Sequence, residues 1–92
     1  MTSDAAEALA AEALAWMAAQ DALIAGFLDA SGTDPATLRA RVSEPEFLAS
    51  VLDFLLADEP ALIAFCENRG IAPGLPLGAR RALPGGDLPN WT

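Results

Sequence analysis

The chain has no histidine, no lysine and one cysteine, and no basic residue precedes Arg39. Each of these absences excludes a class of function. Without histidine, and with Cys66 as the only thiol, no set of residues has metal-ligand spacing, and the carboxylates form no cluster to replace them. Cys66 also lacks an imidazole to act as its base, so it reads as a packed thiol and not as a nucleophile. A lone cysteine forbids an internal disulfide, and an oxidising compartment is therefore not required. No glycine-rich phosphate loop follows a strand, because no stretch reads as a strand. Cofactors are accordingly expected to be none.

The shortage of positive charge is as informative. Five arginines face 13 acidic residues, for a net charge of -8. Such a chain repels phosphate backbones and anionic membranes, which argues against nucleic acid or a lipid surface as partner. The acids read first as solubility charge, with a basic partner as the sharper reading; spread along the chain and not arrayed in a run, they do not read as nucleic-acid mimicry. The first residues lack the basic start and apolar block of a signal peptide. Asp53 interrupts the best apolar run well short of a membrane span. The expected protein is soluble and cytoplasmic.

What the chain does have is alanine and leucine. Of its apolar residues 21 are alanine and 14 are leucine, so the core rests on the leucines, four phenylalanines and a few others. The length fits one domain, taken as residues 1–83, followed by an irregular tail at 84–92. The expected fold is all-α, a compact bundle of five to six short helices. Small domains with thin cores often gain stability by self-association, so a homodimer is compatible with the composition.

The densest apolar run, Ser43 to Gly70, reads as two helices broken at Asp58-Glu59-Pro60. On a wheel of roughly 100° per residue, Phe47, Leu48, Val51, Leu52, Phe54, Leu55 and Leu56 sweep about half the circumference. A helix resting on one neighbour needs a stripe a little over about 100° wide, so this one must be covered from two sides and sit at the centre. Upstream, Met1 to Gln20 reads as an alanine-rich helix capped by Ser3 or Asp4. Asp21 is expected to cap a second helix bearing Leu23, Ile24, Phe27 and Leu28, which Gly32 ends. Asp34-Pro35 opens a short third helix with Leu38 and Val42 on its apolar edge and Arg39 and Arg41 pointing elsewhere. Ser43 with Glu46 has capping-box spacing for the central helix. Asp58 caps the fifth, whose buried side is expected to be Leu62, Ile63, Phe65 and Cys66, and Gly70 with Ile71 closes it. A sixth helix between about Pro76 and Leu83 is opposed by Gly74, Pro76 and Gly78.

Slid along itself until Ala11 meets Ala49, the chain aligns with its own second half without a gap. In that register Leu14 meets Leu52, Phe27 meets Phe65, Gly32 meets Gly70 and Pro35 meets Pro73, while Trp16 falls on Phe54 and Asp29 on Glu67. Periods of this size are those of helical repeats, and the expectation is two related helix-pair halves.

Several stretches together resemble a known family. They are Leu14-Ala15-Trp16-Met17, Phe27-Leu28 with Ser31-Gly32-Thr33-Asp34-Pro35 and Leu38-Arg39, and Phe47-Leu48 with Leu55-Leu56-Ala57-Asp58-Glu59-Pro60. The pattern is similar to the domain-of-unknown-function family 3572, small bacterial helical proteins, from about residue 6 to residue 73. The resemblance implies an all-helical fold of this length and no assigned reaction, ligand or catalytic residue. It also implies a clearer helix after Pro73 than Gly74, Pro76 and Gly78 lead one to expect.

Asp58-Glu59 invites a reading as a carboxylate pair, but adjacent helical residues do not face one another and Asp58 already caps a helix. Asp53, opposite the apolar arc, is expected to be solvated. The remaining candidates are Arg80, Arg81 and Trp91, since tryptophan and arginine are favoured at binding hot spots. Trp91 either folds back on the helices or anchors a partner. The functional expectation is a non-enzymatic protein–protein interaction or regulatory module with a protein partner yet to be identified. The alternative is a carrier or sensor of an apolar small molecule, held in a cavity between the two halves.

Overall fold

The segment Pro45–Ala57 is the helix on which the others are assembled. In a computed structural model, which describes residues 1–84, the order is α1 (Ser3–Ala18), α2 (Asp21–Ser31), α3 (Pro35–Arg41), α4 (Pro45–Ala57), α5 (Glu59–Arg69) and α6 (Leu75–Arg81). The helix α4 packs on α1, α2, α5 and α6, and α1 packs in turn on α2 and α6. The half-circumference apolar face of α4 therefore finds cover on more than one side, as its width requires. Phe47, Leu48, Ala49, Val51, Leu52 and Leu55 are buried along it. Facing them, α1 buries Ala6, Leu9, Ala10, Ala13, Leu14 and Met17, the alanines allowing close approach. Met17, Val51, Leu52 and Leu55 are wholly inaccessible, so the seam between α1 and α4 is filled with side chains. Each fully buried residue of this size contributes about 1.5–3 kcal/mol.

Helix ends follow local chemistry, with three departures from the sequence expectation. Asp34 and Asp58 cap as anticipated, their carboxylates accepting from the N–H groups of Thr37 at 2.7 Å and Ala61 at 3.2 Å. At α1 the cap is Thr2, whose hydroxyl accepts from Ala5 N–H at 3.1 Å, and Ser3 and Asp4 lie inside the helix. At α2 Asp21 is already helical, and Gln20 precedes it without a side-chain cap. At α4 Pro45 occupies the first turn, where its missing N–H costs nothing, and this moves the boundary to Glu44 and leaves Ser43 outside. The anticipated Ser43–Glu46 capping box does not form. Arg41 instead secures this junction, its Nε 3.0 Å from Glu44 Oε1 and its guanidinium 5.0 Å from the centre of the Phe47 ring. It does not point away from the core as the pattern of α3 implied.

Two further corrections concern burial and α6. Ile63 is exposed, and Ala61 takes its place among the buried residues of α5 beside Phe65 and Cys66. The helix α6 forms despite its glycines and proline. Pro76 falls in the first turn, and Pro76, Ala79 and the following Leu83 are buried where α6 packs on α1 and α4. Tertiary burial here outweighs a propensity cost of about 1 kcal/mol for Gly78.

The register that aligns the chain with itself recurs in the coordinates. Under that displacement Asp21–Ser31 maps onto Glu59–Arg69 at both ends. Leu9, Ala10, Ala13, Leu14 and Met17 are buried, and so are their counterparts Phe47, Leu48, Val51, Leu52 and Leu55. The helices α2 and α5 close alike. Gly32 and Gly70 have φ of 67° and 66°, Thr33 N–H donates to Leu28 C=O and Ile71 N–H to Cys66 C=O, each at 3.0 Å. Both are Schellman endings, in which the left-handed residue is ordinarily glycine. The aromatic contacts are reciprocal. Trp16 of the first half lies 5.6 Å from Phe65 of the second, and Phe54 of the second lies 5.5 Å from Phe27 of the first. An i-to-j contact matched by j-to-i is the signature of an isologous, twofold-type interface.

Candidate interaction surface

The helix α6 places Arg80 and Arg81 on adjacent positions that lead to different surroundings. Arg80 Nε donates to Asp53 Oδ1 at 2.6 Å and Arg80 Nη1 donates to Pro84 C=O at 2.9 Å. The Arg80 side chain is only 18% exposed, against 58% for Asp53. Arg80 is thus a clamp between α6, α4 and the chain beyond α6, and not the free surface cation that the sequence implied. Asp53 in turn is ion-paired and not simply solvated. Arg81 is exposed and borders an open cleft of about 410 Å³ with Ser3, Glu7, Pro45, Ala82, Leu83 and Pro84. Trp91, the third candidate, lies outside the described residues.

A second hollow was not anticipated from the sequence. It lies between α2 and α4, has a volume of about 270 Å³, and is lined by Phe27, Ala30, Ser31, Ser50, Asp53 and Phe54. Its base is the edge-to-face pair of Phe27 and Phe54, inclined at 74°. Phe27 is stacked in the same edge-to-face manner on Phe47, with centroids 5.7 Å apart, which fixes its ring from below. Phe54 is only half buried, so one of its sides forms a wall of the groove. Ser50 has its hydroxyl turned back to donate to Phe47 C=O at 2.6 Å, presenting mostly carbon to the groove. The rim is formed by Asp53 and by Ala30 and Ser31 in the last turn of α2. The signal in the sequence was Phe54 at the edge of the apolar arc, together with Gly26 on α2, where a Cβ would stand 3.5 Å from Phe54 Cζ.

Cys66 and Asp34 occupy structural positions. Cys66 is 2% exposed, and burial pushes its thiol above the ordinary range, so it is a protonated core residue at neutral pH. The Thr37 N–H that Asp34 caps holds that carboxyl below its usual value. Among the described residues no group of three or more potential ligands is placed to hold a metal ion. No single helix there is long and apolar enough to cross a membrane.

With this geometry in hand, comparison with known proteins gives a family. The profile described as a protein of unknown function, DUF3572, matches residues 3–86. The match takes in α6, which extends the likeness beyond Pro73. No curated protein and no solved structure matches significantly.

Proposed function

The chain belongs to the DUF3572 family, and from its structure we propose that it is a non-enzymatic protein–protein interaction module of the cytoplasm, with the α2–α4 groove as its docking site. The observation that carries this reading is an open aromatic-floored groove whose titratable lining residue, Asp53, is held in an ion pair. A wall of half-buried phenylalanine beside a charged rim has the composition of an interface centre. The seam between α1 and α4, where an apolar ligand would lie in a carrier, is filled by Met17, Leu52 and Leu55. We further propose that the two helix pairs arose by duplication of one helix-pair unit, on the strength of the shared burial pattern and reciprocal aromatic contacts.

A photo-crosslinking residue at Ser50 tests the docking site, with the same residue at the exposed Ala8 as control. The expected result is a discrete adduct with another protein from Ser50 and only background from Ala8, in a lysate of the source cells. An adduct of twice the chain's own mass would make the partner a second copy. Equal background at both positions refutes the reading.

A further inference from the structure

The two halves bury the same positions but differ at the positions that form the edge of the α2–α4 groove. The α2–α4 groove is built on Phe54, Ser50 and Ser31, whose counterparts in the other half are Trp16, Glu12 and Arg69. The corresponding positions on α1 and α5 thus carry an indole and a guanidinium. The last turn of α5 carries Arg69, whereas the last turn of α2 carries no basic residue. Carbonyls at a helix C-terminus form the negative end of its dipole and favour a cation there. The groove at α2 thus combines aromatic walls, the C-terminal end of a helix with no basic residue in its last turn, and the Asp53 carboxylate.

We propose that this groove receives an arginine side chain of a partner protein, a statement that rests on the interaction reading above and names the chemistry of its partner. The aliphatic stem would lie against Phe27 and Phe54, with the guanidinium between Asp53 and the end of α2. Arginine suits the site better than lysine because its planar head stacks on aromatic faces and is weakly hydrated. The same pairing already occurs within the chain, where the Arg41 guanidinium lies 5.0 Å over the Phe47 ring. Arg80 does not fill the role. It approaches Asp53 Oδ1 through Nε from the α6 side and spends Nη1 on Pro84, which leaves Asp53 Oδ2 able to accept from a second donor. Sharing with Arg80 weakens the field of Asp53, so the negative end of the α2 dipole is the second pole on which the cation depends. The net charge of -8 steers a basic segment toward the surface as a whole.

The test is an NMR titration of the full chain with an acetylated and amidated pentapeptide, arginine flanked by glycines, and with its citrulline counterpart, which has the same shape without the charge. The expected result is saturable amide shifts at Ala30, Ser31, Ser50, Asp53 and Phe54. Citrulline should bind about tenfold more weakly, the worth of a hydrogen bond to a charged group. Asp53→Asn should weaken arginine binding roughly threefold to fivefold, as for a part-exposed ion pair. Ser31→Arg, which copies Arg69, should abolish it by occupying the site from within. This variant also decides the matter if Asp53→Asn unfolds the chain through Arg80. Equal binding of citrulline, shifts scattered over the acidic surface, unchanged binding by Ser31→Arg, or no saturation below about 10 mM overturns the proposal. A crosslinked partner at Ser50 combined with any of these would leave the docking reading standing and remove only the arginine.

Discussion

Replacing glycine by alanine should stabilise this protein at one position and destabilise it at another, and the sign follows from the coordinates. Gly26 lies inside α2 with ordinary helical geometry, and a Cβ there would meet Phe54 Cζ at 3.5 Å, a normal van der Waals contact. Gly26→Ala gains about 0.5–1 kcal/mol from reduced backbone entropy in the unfolded chain, with no steric penalty against it. Alanine already stands at the matching position of the other half, Ala64 in α5. Gly70 differs. A Cβ there would meet nothing within 4 Å, so space is not the constraint, but φ is +66°. The left-handed region costs an L-residue about 1–2 kcal/mol, of which the unfolded-state entropy of alanine returns about 0.4–1 kcal/mol. Gly70→Ala should therefore lose up to about 1.6 kcal/mol, with about 0.8 kcal/mol at the midpoint. For a domain of this size each kcal/mol moves Tm by about 4–8 °C, so the two variants should separate by several degrees in opposite directions from wild type. Far-UV circular dichroism melts, repeated in urea, measure both. A lowered Tm for Gly26→Ala would show that the Phe54 ring cannot yield, and the described spacing of α2 and α4 would be wrong. A Gly70→Ala that stabilises the chain would mean that the Schellman ending of α5 is not formed in solution.

Leu52→Ala, at the filled seam of α1 and α4, should cost about 2–5 kcal/mol, read as a fall in urea midpoint at unchanged m-value. Asp58→Ala should lose about 1 kcal/mol with the α5 cap while Asp58→Asn, which caps equally well, loses little. Asp34 is held below its usual value by Thr37, so its folded pKa is depressed. Its contribution is present above the unfolded value of about 3.9 and fades as pH falls through the folded one, and an acid melt of Asp34→Asn should lack that part of the decline. Cys66 is shifted the other way by burial. Its contribution holds below about pH 8.5 and is lost as pH rises through the folded value. The thiol should react slowly with a disulfide reagent in native buffer, and reaction as fast as in denaturant would refute burial.

The helices were legible because alanine and leucine report period and propensity directly, and because Gly32, Asp34-Pro35, Asp58 and Gly70 are strong punctuation. The central position of α4 was legible for a geometric reason, the width of its apolar arc. Caps were read less well. Pro45 was the overlooked signal: a proline prefers the first helical turn, and it places the boundary after Glu44 and not at Ser43. The helix α6 was hidden because its stability comes from burying Pro76 and Ala79 on helices far away in sequence. Arg80 was misjudged for the same reason, since its partner Asp53 lies far upstream on another helix. The α2–α4 groove belongs to no single segment, and only the approach of Phe27 to Phe54 creates it.

Positions that correspond in the register aligning the chain with itself are under unequal constraint. Leu14 and Leu52, or Met17 and Leu55, pack in the core, and changes of volume there cost several kcal/mol, so only similar residues persist. The rims carry no such constraint. Ala15 and Asp53, Glu12 and Ser50, and Ser31 and Arg69 are counterparts with different charge, and all are at least partly exposed. Asymmetry also enters through α6, which begins slightly later than the register of α3 requires and packs on both α1 and α4. By closing over one end of the central pair, α6 brings Arg80 to Asp53 on the α2–α4 side. The first half's counterpart of Asp53 is Ala15, which has no carboxylate to offer. The shared interior thus accounts for the fold, and Asp53, Ser50 and Ser31 set the α2–α4 rim apart from the corresponding positions Ala15, Glu12 and Arg69.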